Sequence, residues 1–187
     1  MFTTNRLLVR AYQDSDYSSF QRMYNDASIQ QTTNPFLNQP FPDSAVDVEI
    51  KKLHETTMFL GILALKSDPN QLLGCVYLRG DPGGRSAMLG ITMLPDGQGK
   101  GYGTEATRFM VDWAFRMGGL HRVWLSVFEG NDRAVRVYKK AGFVKEVHNR
   151  KQNYVQGKWI ADIWMGILYE DWEKDPGYHP QLPIISP

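Results

Sequence analysis

The segment Gln98-Gly99-Lys100-Gly101-Tyr102-Gly103-Thr104-Glu105-Ala106 constrains this chain more than any other part of it. Its alternating glycines stand between an apolar, strand-like run, Ser86 to Met93, and a strongly amphipathic helix. Glycine lets backbone N–H groups approach a ligand with no side chain in the way. A helix that begins at such a loop adds unpaired N–H groups and the positive end of its dipole. Together they suit a phosphate or pyrophosphate. The helix is the clearest periodic element: Ala106, Phe109, Met110, Trp113, Ala114 and Met117 fall on one face, and Gly118-Gly119 ends it.

Two familiar phosphate loops do not fit. A Walker loop needs a glycine, four residues and then Gly-Lys-Ser/Thr, whereas Gly97 is followed by Gly99-Lys100-Gly101. A dinucleotide fingerprint needs Gly-x-Gly-x-x-Gly within a βαβ unit, and Gly99-x-Gly101-x-Gly103 has the wrong last spacing. A flexible Gly-rich hairpin is the competing reading of the cluster taken alone.

The 187 residues, 42% of them hydrophobic, suit one globular domain over 1–173 with a Pro-rich tail over 174–187. The balance of 21 basic and 20 acidic residues gives no electrostatic case for nucleic acid. Cys75 is the only cysteine, so an intramolecular disulfide is impossible and a reducing, cytoplasmic location is expected. It sits in an apolar stretch, where a buried small side chain is the default and a nucleophile is not expected. No signal peptide is visible in Met1 to Arg10 and no 18-residue apolar run occurs, so no membrane association is expected. The histidines His54, His121, His148 and His179 are isolated, and no metal site is expected.

Along the chain, Leu7-Leu8-Val9 forms a first strand, followed by a helix capped by Asp14 or Asp16 with Tyr17, Phe20, Met23 and Tyr24 on one face. Residues 30–45, with Pro35, Pro40 and Pro42, form a loop. Ser44 or Asp43 then caps a helix through Val46, Ile50 and Leu53. Strands follow over Met58 to Leu65, Leu72 to Leu78 and Ser86 to Met93, with turns at Lys66 to Gln71 and at Asp81-Pro82-Gly83-Gly84. After the amphipathic helix come a strand over Arg122 to Phe128 and a helix capped by Asn131 or Asp132 that stops at Gly142. Strands over Phe143 to Val147 and Trp159 to Leu168 complete the pattern, and the tail beyond Glu173 hangs loose or packs as extended coil. This order specifies a mixed α/β (α+β) fold on one mainly antiparallel central sheet flanked by helices. A parallel pair is expected where the helix after the glycine loop joins two strands.

Two motifs in order carry a family resemblance. Gln98-Gly99-Lys100-Gly101-Tyr102-Gly103 matches a Gln/Arg-x-x-Gly-x-Gly/Ala loop, and Asn131 to Phe143 matches Asn-x-x-Ala-x-x-x-Tyr-x-x-x-Gly-Phe. The chain resembles the GNAT superfamily of acyl-CoA-dependent N-acetyltransferases from about Asn5 to Leu168. Asn5 to Arg10, and Gly157-Lys158-Trp159-Ile160-Ala161-Asp162, are similar to a branch containing ribosomal-protein N-terminal acetyltransferases and spermidine acetyltransferases.

The resemblance implies acetyl-CoA as co-substrate, with no metal. It places the CoA pyrophosphate on the backbone of Gln98, Gly99, Lys100, Gly101, Tyr102, Gly103 and Thr104. The Lys100 side chain either adds charge there or is simply solvated. Backbone groups of Ile91, Thr92 and Met93 would pair with the pantetheine arm, provided the strand near Ser126-Val127 splays away; their side chains can also serve the core. Asn131 would meet the same arm or act only as a helix cap. Arg133 faces solvent or lies near CoA. Tyr138 would protonate the departing thiolate, the competing role being packing on a short helix. The partner is an amine, either a small molecule or a protein N-terminal amine, met by a monomer or homodimer. A non-catalytic acyl-CoA-binding module is the alternative.

A free alkylamine of pKa ~10.4 costs about 4.6 kcal/mol to hold neutral at pH 7, so a base helps. Some relatives carry a glutamate in the strand before the loop, where this chain has Met88, which weighs against simple polyamine specificity. Asp43, Glu49, His54 and His148 are the residues considered for that base, without motif support. The acceptor pocket is expected from the 30–45 loop, the helix after it and a 147–158 turn, with Phe36, Phe41, Tyr154 and Trp159.

Overall fold

In the computed structural model, which describes residues 1–33, 38–80 and 84–178, eight strands form one sheet. From one edge to the other run β1 (Phe2–Thr3), β2 (Leu7–Arg10), β3 (Phe59–Leu65), β4 (Asp68–Gly80), β5 (Ser86–Met93), β6 (Arg122–Phe128), β8 (Lys158–Leu168) and β7 (Val144–Val155). Neighbours are antiparallel except β5 and β6, the parallel pair expected from the crossover helix.

The sheet separates two apolar layers. Helices α4 (Tyr102–Arg116) and α5 (Asp132–Lys140) pack on one face, where Met110, Val111 and Ala114 meet Val76, Leu78, Leu89, Val123 and Leu125. The other face carries α1 (Tyr17–Asn25), α2 (Ala27–Thr33) and α3 (Asp43–Thr56), with Phe20, Met23, Ile29 and Val46 around Ile62, Leu72 and Cys75. Alternation along β4 produces this split, since successive strand residues point to opposite faces. Cys75 is buried and burial pushes its thiol up to about 12, which suits packing and not nucleophilic attack.

Several sequence expectations are corrected. Asp16 precedes α1 but its carboxylate does not cap that helix. It takes two hydrogen bonds from the Arg10 guanidinium, at 2.7 and 2.8 Å, and one from the Gln13 N–H at 2.9 Å. The 30–45 segment is not all loop. α2 runs to Thr33, held at its start by Asp26, whose Oδ1 accepts from the Ile29 N–H. Pro42 precedes α3, so Asp43 and Ser44 lie inside the helix and do not cap it. The turn after β3 is shorter than expected because β4 already begins at Asp68. Residues 147–158 are not a turn: they belong to a long β7–β8 hairpin that closes at Gln156-Gly157. Beyond Leu168 a short helix α6 (Tyr169–Lys174) leads to Tyr178, which is buried and donates its hydroxyl to the Ala141 carbonyl. The start of the tail is therefore docked on the core. Pro35, Phe36, the Asp81-Pro82-Gly83 part of the expected turn, and His179 with the rest of the tail lie outside the described residues.

Candidate active site

β5 and β6 pair only at Ser86–Arg122, Ala87–Val123 and Met88–Trp124. Beyond that point the two strands part. β6 remains paired with β8 along its whole length, and β5 with β4. The β6-facing edge of residues 89–93 thus presents backbone N–H and C=O groups that need partners when buried. The opening passes through the sheet and joins both faces. It belongs to a cleft of about 1050 Å³ whose wall includes Tyr138 of α5 on one side and Ser28, Thr32 and Thr33 of α2 on the other.

At the end of β5 a short turn leads to the glycine loop. Gly101 adopts φ +84° and precedes α4. A positive φ is easy for glycine, and glycine brings no side-chain oxygen with which to cap the helix. Among the described residues no side chain caps the first turn of α4, which begins beside the cleft. The dipole adds positive potential at the same place. Gly103 is open on its Cβ side: beyond its chain neighbours and its own helix backbone, no heavy atom of the described residues lies within 4 Å of where a Cβ would stand.

The loop is clamped from two directions. Gln98 donates its side-chain amide to the Met93 carbonyl at 2.7 Å and accepts from the Arg133 guanidinium at 2.8 Å, tying β5, the loop and α5 together. Arg6 stacks over the Tyr102 ring at 4.6 Å and donates to the Lys100 carbonyl at 2.9 Å. The Arg6 backbone N–H and guanidinium also bond the Glu105 carboxylate at 2.7 and 2.8 Å, and the Thr4 hydroxyl adds a third donor. Burial pushes the Glu105 carboxyl up, but these donors outweigh it and hold it below the ordinary glutamate range. A depressed carboxyl contributes stability above its unfolded value and loses that contribution as pH falls through the folded one. Glu105→Gln is therefore expected to cost about 2 kcal/mol at pH 7. The gap to the parent protein should close in urea denaturation below about pH 4. A gap unchanged between pH 7 and pH 3.5 would show that the charge is not what holds the loop.

Of the residues singled out from sequence, Ile91, Thr92, Met93, Gln98, Gly99, Gly101, Gly103, Thr104, Asn131 and Tyr138 all line the one cleft. Lys100 and Tyr102 do not; Lys100 is exposed and Tyr102 packs beneath Arg6. Positive charge in the wall comes instead from Arg79, Arg133, Arg136 and Lys140. Asn131 caps α5, its Oδ1 accepting from the Ala134 N–H at 3.2 Å. Tyr138 is 8% exposed, with its ring 6.0 Å from that of Phe143. Burial, with a smaller contribution from Tyr77, pushes its hydroxyl up to about 12.

The acceptor side differs from the sequence expectation. None of Asp43, Glu49, His54 and His148 belongs to the wall. Asp43 accepts from Gln21, His54 packs edge-on against Tyr12 at 5.6 Å, and His148 lies 3.8 Å from Glu129. Phe41 packs against Tyr24, while Tyr154 and Trp159 pair on the exposed hairpin, 54% and 62% accessible. In their place stand the polar residues of α2, with Gln152 and Asn153 of β7 and Asp162 of β8. Sequence periodicity could not place these: α2 has no apolar stripe, and the outward face of β8 is set by pairing with β6.

A family model described as an acetyltransferase (GNAT) domain matches residues 6–144. The spermidine N(1)-acetyltransferase of Vibrio cholerae is 33% identical over 75 residues, 40% of this chain and 43% of that protein, so the match spans less than half of the relative. An uncharacterized N-acetyltransferase of Bacillus subtilis, YnaD, is 26% identical over 172 residues, 91% of this chain and 98% of its own. The putative ribosomal N-acetyltransferase YdaF of the same organism is 30% identical over 105 residues, 56% of this chain and 57% of its own. The structure of the V. cholerae spermidine N-acetyltransferase in complex with CoA and spermine superposes with a TM-score of 0.78 at 24% identity, over 88% of this chain and 96% of that one, which is a likeness of fold. With the family model covering most of its length, the chain belongs to the GNAT family of acetyltransferases.

Proposed function

We propose that this protein transfers the acetyl group of acetyl-CoA directly to an amine, and that Tyr138 protonates the departing thiolate. The observation that carries the reading is the parting of β5 and β6 after three paired residues, directly upstream of an uncapped helix N-terminus. A slot edged by free strand backbone suits a pantetheine arm, which carries amide groups able to pair like a missing strand. The α4 N-terminus at its mouth suits a pyrophosphate. Gln98, Gly99, Gly101, Gly103 and Thr104 would hold the pyrophosphate, and Ile91, Thr92, Met93 and Asn131 the arm. Arg133, in the same wall and fixed by Gln98, adds a positive charge.

In this reading the amine approaches from the α2 face and attacks the thioester carbon. Holding both reactants in one cleft supplies the proximity such a reaction needs. A backbone N–H on the free edge of β5 polarises the carbonyl. The carbon–sulfur bond then breaks, the thiolate takes its proton from the Tyr138 hydroxyl, which burial keeps protonated, and the surplus proton on the new amide nitrogen passes through water to restore the phenol. No covalent enzyme intermediate is required. The acceptor is a small-molecule amine or a protein N-terminal amine; the relatives named for spermidine and for ribosomal substrates both fit this class. No helix among the described residues is long and apolar enough to cross a membrane.

The direct test is free-thiol release from acetyl-CoA across polyamines, amino sugars, amino acids and short peptides with free N-termini. Turnover with one class is expected. Tight CoA binding without turnover on any amine would favour a binding module, and absence of both would overturn the assignment.

A further inference from the structure

Asp162 is the only carboxylate among the described residues that line the cleft; the other charged side chains there are Arg79, Arg133, Arg136 and Lys140. It is 8% exposed. Its Oδ2 accepts from the Trp164 indole N–H at 2.7 Å, and Trp164 stacks on Trp124 with ring centroids 5.1 Å apart. Its Oδ1 is buried and has no hydrogen-bond partner among the described residues. A buried carboxylate oxygen left unpaired is costly and calls for a donor. Among the described residues the one other buried side-chain nitrogen or oxygen without a partner is Arg79 Nε, a donor in the same wall.

Register fixes which side of the sheet this oxygen serves. Ile163, Met165 and Ile167 of β8 enter the core beneath α4 and α5. Asp162 and Trp164, one residue out of phase, point to the opposite face, which carries α1 to α3. Asp162 pairs with Phe128, and Ser126 of the parted strand pairs with the adjacent Trp164. The carboxylate thus lies beside the opening, on the face of the sheet that carries α1 to α3.

We propose that Asp162 holds the cationic nitrogen of the acceptor and so selects amines over neutral nucleophiles. This rests on the amine-transfer reading given above. The anchored carboxylate accepts a hydrogen bond from an ammonium N–H through Oδ1, while Trp164 keeps Oδ2 in place. Charge-assisted hydrogen bonds of this type are short and strong. Stabilising the ammonium form opposes the proton loss that must precede attack, so the gain is expected in acceptor affinity alone.

The test uses Asp162→Asn, which keeps an oxygen for the Trp164 indole and removes the charge. Tryptophan emission includes that of the Trp124–Trp164 pair next to the site, and Trp113, Trp159 and Trp172 contribute a background common to parent and variant. n-Butylamine, 1,4-diaminobutane and alanyl-alanine are titrated into parent and variant protein, with and without CoA, and n-butanol serves as the uncharged counterpart. At least one cationic probe is expected to change the emission saturably, with affinity at least tenfold weaker in the variant, while n-butanol affects both proteins alike. Equal affinity of the cations for parent and variant, binding of n-butanol to the parent protein as tight as that of n-butylamine, or no response of the parent protein to any cation would each overturn the proposal. CoA binding measured by calorimetry on the same samples keeps the two readings apart. Absence of CoA binding sinks the transferase reading, whereas intact CoA binding with charge-independent amine docking sinks only the role of Asp162. Asp162→Asn should also leave the midpoint of thermal unfolding unchanged or raised, because it relieves a buried unpaired charge.

Discussion

Tyr138→Phe lowers the acetyl-transfer rate constant about a hundredfold and leaves KM for the amine and the affinity for CoA within a factor of about three. General acid catalysis by a positioned side chain contributes roughly 10²- to 10⁴-fold. The low end applies here because a thiolate, whose conjugate acid has a pKa of ~8.5, leaves more readily than a stronger base would. The substitution removes only the hydroxyl. The ring and its packing against Phe143 remain. Thermal stability should therefore hold while turnover collapses. A purely structural tyrosine would give the reverse.

The pH dependence sharpens this. Burial first, and the neighbouring Tyr77 second, push the Tyr138 hydroxyl up to about 12. The acid form thus persists through the whole range in which amines become neutral. Wild-type turnover should rise with pH as the acceptor loses its proton, with no loss assignable to Tyr138 below about pH 10. The ratio of parent to Tyr138→Phe should stay flat from pH 7 to 10. A ratio that falls to unity by pH 9 would mean that Tyr138 is not the proton donor, because a buried phenol cannot have been lost by then.

How much of this was legible in the sequence depends on whether the signal is local. β5 and β6 run over the residues expected from sequence, Ser86–Met93 and Arg122–Phe128, because each is an apolar run bounded by turn residues. α4 was legible from its stripe, and α5 from its Asn131 cap and the glycine that ends it. What escaped was polar. α2 buries only Ile29 and Gln30, so it has no stripe to detect, and its start signal is Asp26, an ordinary loop residue by type. β7 is an edge strand exposed nearly throughout, without the alternation that marks a half-buried strand. The site divides in the same way. The phosphate loop is a contiguous motif and could be seen. The acceptor wall joins α2, β7 and β8, and Asp162 reaches it only through pairing with Phe128, a contact between residues far apart in sequence.

Gly103→Leu weakens CoA binding about a hundredfold without destabilising the protein. Gly103 stands in the first turn of α4 behind the left-handed Gly101. Its own φ is not in the left-handed region, so a side chain meets no backbone strain there. Apart from its chain neighbours and the backbone of its own helix, no atom of the described residues lies within 4 Å of the position a Cβ would take, and the residue lines the cleft. A leucine side chain therefore enters the space in front of the first-turn N–H groups and not the core. Each N–H bond to a charged phosphate contributes about 1.5–3 kcal/mol, and losing one or two of them corresponds to roughly a hundredfold in affinity. Leucine is also a better helix former than glycine by somewhat under 1 kcal/mol, so the unfolding midpoint should not drop. Gly103→Ala, with only a methyl group, should bind CoA nearly as the parent does. Calorimetry with CoA against unfolding curves separates the outcomes. Full CoA affinity in the leucine variant would mean that the phosphates do not sit on this helix, and the parted strands would then need a different occupant.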